Sequence, residues 1–475
     1  MNNRLAPTNG RTNYDLAVIG AGSAGFSAAI TAAEEGAQVA LIGHGTIGGT
    51  CVNIGCVPSK NLIRATESLH QAKAASRFAG LQGDGRIEDW RAVVRHKDEL
   101  VSSMRQAKYL DLLPNYNTVS YVAGRARFIN GGIAIDGQLI EARKVIITTG
   151  ASPSLPPIPG IETVPHLTST TALELEQLPK SLLVIGGGYI GCELGQMFAR
   201  AGVTVTIVDI VPILSAGEPD ISNALAWYLR EEGVVIRENV KTKTILKTES
   251  GIALDISDGG KNETLEAEQV LVTTGRRPNT AGLGLDEAGI ELLPNRGIKV
   301  DDRMRTTKPG VYAAGDVTGR DQFVYMAAYG ARIAARNALN GDSLRYDNAA
   351  MPAVVFTDPQ VASVGLTEAA AREQGFRVKT SVLPLDYVPR ALAARDTRGL
   401  IKLVAEAGSG QLLGAHILAP EGADSIQSAA LAIKCGLTVQ QLGEAIFPYL
   451  TTVEGLKLAA QAFDKDVTKL SCCAG

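Results

Sequence analysis

Twice in this chain a short apolar run leads directly into a Gly-x-Gly-x-x-Gly hexapeptide and then into a stretch of helical composition. The first copy is Asp15–Ile19, Gly20-Ala-Gly-Ser-Ala-Gly25, an Ala-rich Phe26–Glu35 and a second apolar run, Gln38–Ile42. The second is Ser181–Ile185, Gly186-Gly-Gly-Tyr-Ile-Gly191, Cys192–Ala201 and Val203–Val208. Strand, glycine turn, helix, strand is a βαβ unit of a parallel sheet. Its first glycine (Gly20, Gly186) permits the tight turn, its second (Gly22, Gly188) lets backbone approach a pyrophosphate, and its third (Gly25, Gly191) lets helix and strand pack closely. A single hexapeptide of this kind is a weak sign, but two with matching flanks predict two dinucleotide sites.

The acid that holds a ribose normally follows such a turn by about 20 residues. Counting from Gly186, the 23rd residue is Asp209, which favours an unphosphorylated ribose and hence NADH. The same step from Gly20 lands on Gly43, leaving His44 as the nearest polar side chain.

The fold class these units predict is α/β, with two Rossmann-like dinucleotide-binding domains followed by a separate C-terminal α+β domain. The proline-rich Ser152–Gly160 marks one boundary and Gly282–Gly284 a second. The expected organisation is a mobile leader over 1–13, the first part of one dinucleotide-binding domain over 14–158, a second dinucleotide-binding domain over 159–283, a return to the first over 284–348, and the α+β domain over 349–475. A helix is expected at Asn61–Ala72 and others at Phe323–Leu339, Thr367–Gln374 and Ala423–Cys435.

Forty-six Lys and Arg against 49 Asp and Glu leave a net charge of -3, which excludes a nucleic-acid surface or a polybasic membrane anchor as the chain's main business. No apolar run approaches the roughly 18 residues needed to span a bilayer, and nothing near the start reads as a secretory signal, so the expectation is a cytoplasmic protein. Six cysteines in 475 residues are too few for a disulfide scaffold, and each is judged by position.

Cys51 and Cys56 lie in Gly48-Gly-Thr-Cys-Val-Asn-Ile-Gly-Cys-Val-Pro-Ser-Lys60, beside the first glycine turn and before an expected helix. A thiol at a helix N-terminus holds its thiolate form more readily. Cys472 and Cys473 are adjacent in the terminal Lys469-Leu-Ser-Cys-Cys-Ala-Gly475, where two thiolates suit a soft, thiophilic cation. Cys192 and Cys435 fall in apolar helical stretches and are expected to be small buried hydrophobes. No Cys and His cluster at the spacing of a tetrahedral zinc site.

These elements together resemble the flavin-dependent pyridine nucleotide-disulfide oxidoreductases. The resemblance rests on the Gly48–Lys60 block, both glycine turns, Glu193, Thr273-Thr-Gly-Arg-Arg-Pro-Asn279 and Ala314-Gly-Asp316, in order along nearly the whole chain. It implies FAD at the first turn, with Gly20, Gly22, Gly25, Thr50, Gly150, Gly315 and Asp316 around it. It implies NAD(P)H at the second, with Gly186, Gly188, Gly191, Asp209 and Gly275. It further implies Cys51 and Cys56 as a redox-active pair, a Lys60–Glu193 pair near the flavin's reactive nitrogen, and a homodimer through the C-terminal domain, so that 14–158 and 284–348 form the FAD-binding domain, 159–283 the NAD(P)-binding domain and 349–475 the α+β dimerisation domain. By resemblance the coenzyme is NADPH, against the NADH that Asp209 favours.

Members of that family that interconvert a disulfide and a dithiol carry a His–Glu pair near their C-terminus, which shuttles the thiol proton. Here the segment is Phe447-Pro-Tyr-Leu-Thr-Thr-Val-Glu454, with Tyr449 in the place of the imidazole. A phenol with an ordinary pKa of about 10 is a poor general base near neutral pH. Together with Cys472-Cys473 and Tyr387-Val-Pro-Arg390, this is similar to the family's mercury-reducing branch. That similarity implies Hg(II) arriving as a thiol complex, Cys472 and Cys473 delivering it to Cys51 and Cys56 of the partner subunit, and Tyr449 and Tyr109 beside the bound ion. The sequence opens almost directly on the flavin unit, with no Cys-x-x-Cys module before it, so the tail pair is the expected delivery site. Alternatives are a lipoamide- or glutathione-type disulfide reductase and a non-enzymatic, thiol-based metal-sequestering protein.

Overall fold

The computed structural model describes residues 13–130 and 132–466. The expected leader up to residue 12, and Cys472 and Cys473, lie outside the described residues. Two compact units emerge, each assembled from separated stretches of chain. Unit one takes the residues up to Ser59, Val94–Ser154 and Gly275–Asp347. Unit two takes Lys60–Val93, Leu155–Thr274 and the chain from Asn348 on. The chain leaves unit one inside the proline-rich stretch and returns at Gly275, so Gly282–Gly284 lies within unit one.

Unit one is built on β1 (Asn13–Ile19), α1 (Ser23–Glu34) and β2 (Val39–Gly43). β1 pairs in parallel with β2 and with Gln138–Ile147, so that Ile19 lies opposite both Ile42 and Ile147. β3 (Val119–Ala123) adds in parallel outside β2, placing Tyr121 opposite Leu41 and Ala123 opposite Gly43. Two short strands continue the sheet, Gly132–Ile135 pairing antiparallel with Gln138–Ile147 and Ala126–Ile129 pairing antiparallel with Gly132–Ile135. Apolar residues cover both sheet faces, because strands buried on two sides need continuous rather than alternating hydrophobicity. Leu16, Val18 and Leu41 meet the alanines of α1 and of Val324–Asn340 on one face, while Ala17, Ile19 and Ile42 meet Leu283, Leu285 and Ile298 on the other.

Unit two repeats the scheme. Its parallel sheet runs Val235–Arg237, Thr204–Val208, Ser181–Ile185, Gln269–Val272, Leu167–Thr168, with helix Tyr189–Arg200 following the second glycine turn. An antiparallel sheet of five strands, from Pro352–Val355 to Leu412–Ala419, packs against helices Gly422–Lys434 and Glu454–Gln461 over its own apolar core. Ion pairs, most of them buried, join the two parts: Arg200 bonds Glu232 and Asp358, Arg398 bonds Asp358, and Lys402 bonds the buried Glu218 and the exposed Asp220. Cys192 is wholly buried as expected. Cys435 is not: it caps the C-terminus of Gly422–Lys434, where the chain turns outward, and it is exposed. Among the described residues no helix is long and apolar enough to cross a membrane.

Candidate active site

The glycines of both turns are fixed by backbone contacts. A Cβ on Gly25 would lie 1.7 Å from the Gly20 carbonyl oxygen, and one on Gly191 1.9 Å from that of Gly186. Gly20 (φ 121°) and Gly186 (φ 108°) also hold conformations that L side chains rarely adopt. Gly22 and Gly188, by contrast, would meet little: Gly49 Cα at 3.5 Å for the former, nothing within 4 Å for the latter. The space above them is open where a pyrophosphate would approach. Both helices begin at these glycines without a side-chain cap or an acid in the first turn, so their N-terminal amides remain available to an anion. This cradle fits a dinucleotide at each turn.

Two threonines brace these turns identically, and sequence reasoning missed them. The Thr148 hydroxyl bonds the carbonyls of Ile19 and Gly20, at 3.0 and 3.1 Å. The Thr273 hydroxyl bonds those of Ile185 and Gly186, at 3.1 and 2.8 Å. The sign was the repeated Thr-Thr-Gly triplet at Thr148 and Thr273. The triplets end at Gly150 (φ 71°) and Gly275 (φ 115°), where a Cβ would meet nothing within 4 Å.

Asp209, at the end of Thr204–Val208, accepts N–H bonds from Gly187 at 2.6 Å and Val211 at 3.2 Å. Its carboxylate is thereby fixed at the mouth of the second turn. The arginines nearest that strand end are committed elsewhere, Arg230 to Glu238 and Arg237 to Glu263. In unit one Gly315 (φ 77°) opens the turn Asp316–Thr318. Burial pushes the Asp316 carboxyl up, opposed by Arg276, whose Nε lies 3.9 Å away.

The cysteine segment is stitched to the first turn. The Gly48 N–H donates to the Ala21 carbonyl at 2.9 Å, and Gly22 and Gly48 form a parallel bridge. Gly49 passes so close that its Cβ would lie 2.6 Å from Gly22 Cα. Cys51 sits in α2 (Gly49–Ile54), with the exposed Thr50 beside it, and Cys56 opens α3 (Cys56–Lys73). The expected start at Asn61 is five residues late, because Pro58 falls in the first turn, where its missing N–H costs no helical bond. Gly55 makes the break: a Cβ there would lie 2.9 Å from the Thr50 carbonyl. Asn53 locks the loop, donating to the carbonyls of Ile47 and Gly49, while Arg105 donates to its side-chain oxygen at 3.0 Å. Cys51 is half-buried and Cys56 exposed.

Tyr109 is brought to these thiols. It lies in a π-helical turn, Gln106–Leu110, with its ring edge-on to Phe26 and its hydroxyl 3.2 Å from Ser23 Oγ. Burial, reinforced by the negative charge of Cys51 and Cys56, pushes its phenol above the usual range. The hydroxyl therefore keeps its proton near neutrality.

In unit two Lys60 Nζ lies 2.6 Å from Glu193 Oε2 and over the Phe356 ring, while Glu193 Oε1 accepts the Phe356 N–H at 2.9 Å. Tyr449 belongs to the same unit, 49% exposed in the loop before helix Glu454–Gln461. Glu454 is buried there with Oε2 lacking any hydrogen-bond partner among the described residues. The five-residue interval from Tyr449 to Glu454 thus ends on a carboxylate oxygen with no imidazole to bind it.

The family described as pyridine nucleotide-disulphide oxidoreductase matches residues 14–335, and its dimerisation domain matches residues 351–460. A mercuric reductase of Lysinibacillus sphaericus is 47% identical over 465 residues, 98% of this chain and 85% of the relative. One of Streptomyces lividans is 46% identical over 470 residues, 98% and 99% of the two chains. The solved HOCl-induced flavoprotein disulfide reductase RclA from Escherichia coli superposes with a TM-score of 0.83 at 33% identity, covering 94% of this chain and 99% of that one.

Proposed function

The chain belongs to the pyridine nucleotide-disulphide oxidoreductase family, an oxidoreductase working with FAD and a pyridine nucleotide, and from that premise we propose that it reduces Hg(II) to Hg(0). The observation that carries this reading is Tyr449 in the segment from Phe447 to Glu454, where reduction of a disulfide to a dithiol would need a base to move the thiol proton. Relatives named mercuric reductase, aligned over nearly the full chain, support it.

Bound at the first turn, FAD supplies the two-electron relay between a hydride donor and a metal ion. The chain's own residues do the rest. Asp209 orients an unphosphorylated ribose at the second turn, and Arg230 and Arg237 are paired with Glu238 and Glu263 rather than free for a 2′-phosphate, so NADH is the expected coenzyme. Lys60, held by Glu193, keeps one positive charge fixed on α3, the helix that Cys56 opens. Cys51 and Cys56 take Hg(II) as paired thiolates, since soft ligands select a soft ion. The Tyr109 hydroxyl, still protonated, offers a hydrogen bond to the thiolate complex and no base. Overall, NADH and Hg(II) become NAD⁺, a proton and Hg(0), which has little affinity for thiolate and leaves.

Cys472 and Cys473 of one subunit take Hg(II) from small thiols and pass it to Cys51 and Cys56 of the partner by stepwise exchange. An incoming thiolate displaces an outgoing one, so the strong metal–sulfur bond never has to dissociate outright. Tyr449 of the delivering subunit accompanies the ion without accepting a proton.

An anaerobic comparison of Hg(II)–thiol, lipoamide and oxidised glutathione, each with NADH and NADPH, tests this reading. Coenzyme oxidation is expected with Hg(II) alone. Comparable turnover of either disulfide would make the protein a disulfide reductase, and a colourless, flavin-free preparation would favour metal sequestration. In the same assay Cys472→Ala/Cys473→Ala should lose turnover of thiol-bound Hg(II) yet keep flavin reduction. Unchanged turnover would remove the delivery role.

A further inference from the structure

The first glycine turn lacks the acid that ordinarily grips the ribose, and the structure assigns that contact to Tyr121. Gly43 closes β2 and is buried. A Cβ built on it would lie 2.6 Å from the Cβ of Ala21, within the glycine turn itself, and 3.0 Å from the Tyr121 hydroxyl. A ring carbon of Tyr121 would be 3.3 Å away. Position 43 therefore has no room for an acidic side chain. The volume it would enter is already taken by a phenol from the adjacent strand.

Register explains how the ring gets there. Tyr121 pairs in parallel with Leu41, so its side chain leaves the sheet on the same face as Leu41 and as any residue at 43. From that position it reaches toward the carboxyl end of β2, packed against the apolar cluster on the α1 face. The carboxyl ends of parallel strands, beside the glycine turn, are where a dinucleotide ribose lies. The hydroxyl has no hydrogen-bond partner among the described residues, and burial pushes its pKa up, so it stays protonated. His44, the nearest polar residue in sequence, is exposed.

A neutral phenol can both donate to and accept from a ribose hydroxyl, replacing a charged acceptor with an uncharged partner. The expected consequence is a flavin site whose adenosine end is held by an ordinary hydrogen bond rather than a charge-assisted one. It also follows that Gly43→Glu cannot restore the acid while Ala21 and Tyr121 stand where they do.

This inference rests on FAD as the cofactor, and flavin binding to the apoprotein, read by flavin fluorescence, tests it apart from turnover. Tyr121→Phe should weaken FAD about two- to tenfold, the worth of one neutral hydrogen bond, and leave FMN, which lacks the adenosine, unchanged. FAD analogues lacking one ribose hydroxyl should bind the unaltered protein more weakly and Tyr121→Phe no more weakly than FAD itself. Unaltered FAD affinity in Tyr121→Phe, equal weakening of FMN, or a loss in His44→Ala instead would overturn the assignment. An unaltered protein that binds neither flavin would overturn the cofactor along with it.

Discussion

Lys60 Nζ and Glu193 Oε2 lie 2.6 Å apart, the carboxylate 7% exposed and the ammonium 31%. The pair is asymmetric in its debt to water. Losing the lysine strands a carboxylate that solvent hardly reaches, whereas neutralising the glutamate leaves a cation that water can still solvate. Lys60→Met should destabilise unit two by about 3 kcal/mol and Glu193→Gln by clearly less. The double variant should recover part of the Lys60→Met loss, because it removes the unpaired charge. Urea midpoints of the three variants check this, and additive losses would contradict it.

The second glycine turn separates packing from ligand contact. Gly191→Ala places a methyl 1.9 Å from the Gly186 carbonyl and should abolish a stable coenzyme half. Gly188→Ala meets nothing within 4 Å and should melt within about 0.5 kcal/mol of the parent. Its KM for the coenzyme should nonetheless rise, on the order of tenfold, as the methyl blocks the pyrophosphate. Thermal melts beside KM values distinguish the two effects.

Coenzyme choice follows from Asp209. A 2′-phosphate would bring negative charge against this carboxylate with both nearby arginines already paired. NADH should exceed NADPH in kcat/KM by about tenfold or more, a difference of roughly 1.4 kcal/mol. Asp209→Asn should narrow the ratio. A preference for NADPH that Asp209→Asn leaves unmoved would contradict this.

Acid should loosen unit two. Burial lowers the pKa of His416, whose Nε2 faces the Leu366 carbonyl at 3.1 Å and whose Nδ1 has no hydrogen-bond partner among the described residues. Glu218 opposes that shift and Lys402 adds to it. His70 is lowered as well, burial leading and Arg200 assisting. A folded pKa below the unfolded value of 6.5 means that the unfolded chain binds protons first as pH falls. Stability should therefore be level above about pH 6.5 and decline below it, with a shallower decline in His416→Gln. Urea midpoints at about pH 8 and about pH 5.5 read the slope.

What the sequence disclosed was backbone demand. Gly20, Gly25, Gly186 and Gly191 stand where no Cβ fits, and such positions are readable because only one residue type satisfies them. The Cys51–Cys56 block was legible for the same reason, since Gly49 and Gly55 are required by close approach to the first turn and to Thr50, and Gly48 by its φ of 96° and the Val52 side chain beside it. Side chains that work across distance in sequence were not legible. Asn53 acts through a carbonyl at Ile47 and through Arg105, and Tyr121 fills the space at Gly43 only because β3 docks beside β2. Cys435 misled because an apolar helix predicts burial on average, and its last residue is where the rule fails. Pro58 misled because proline ends helices in most positions but is tolerated in the first turn.

Mercury vapour measured against coenzyme consumed tests Hg(II) reduction most directly. In a sealed anaerobic reaction with excess small thiol, the protein should release one Hg(0) for each NADH oxidised. Cys51→Ser and Cys56→Ser should release almost none while their flavin is still reduced. NADH oxidation without mercury vapour, or vapour undiminished in both cysteine variants, would contradict it.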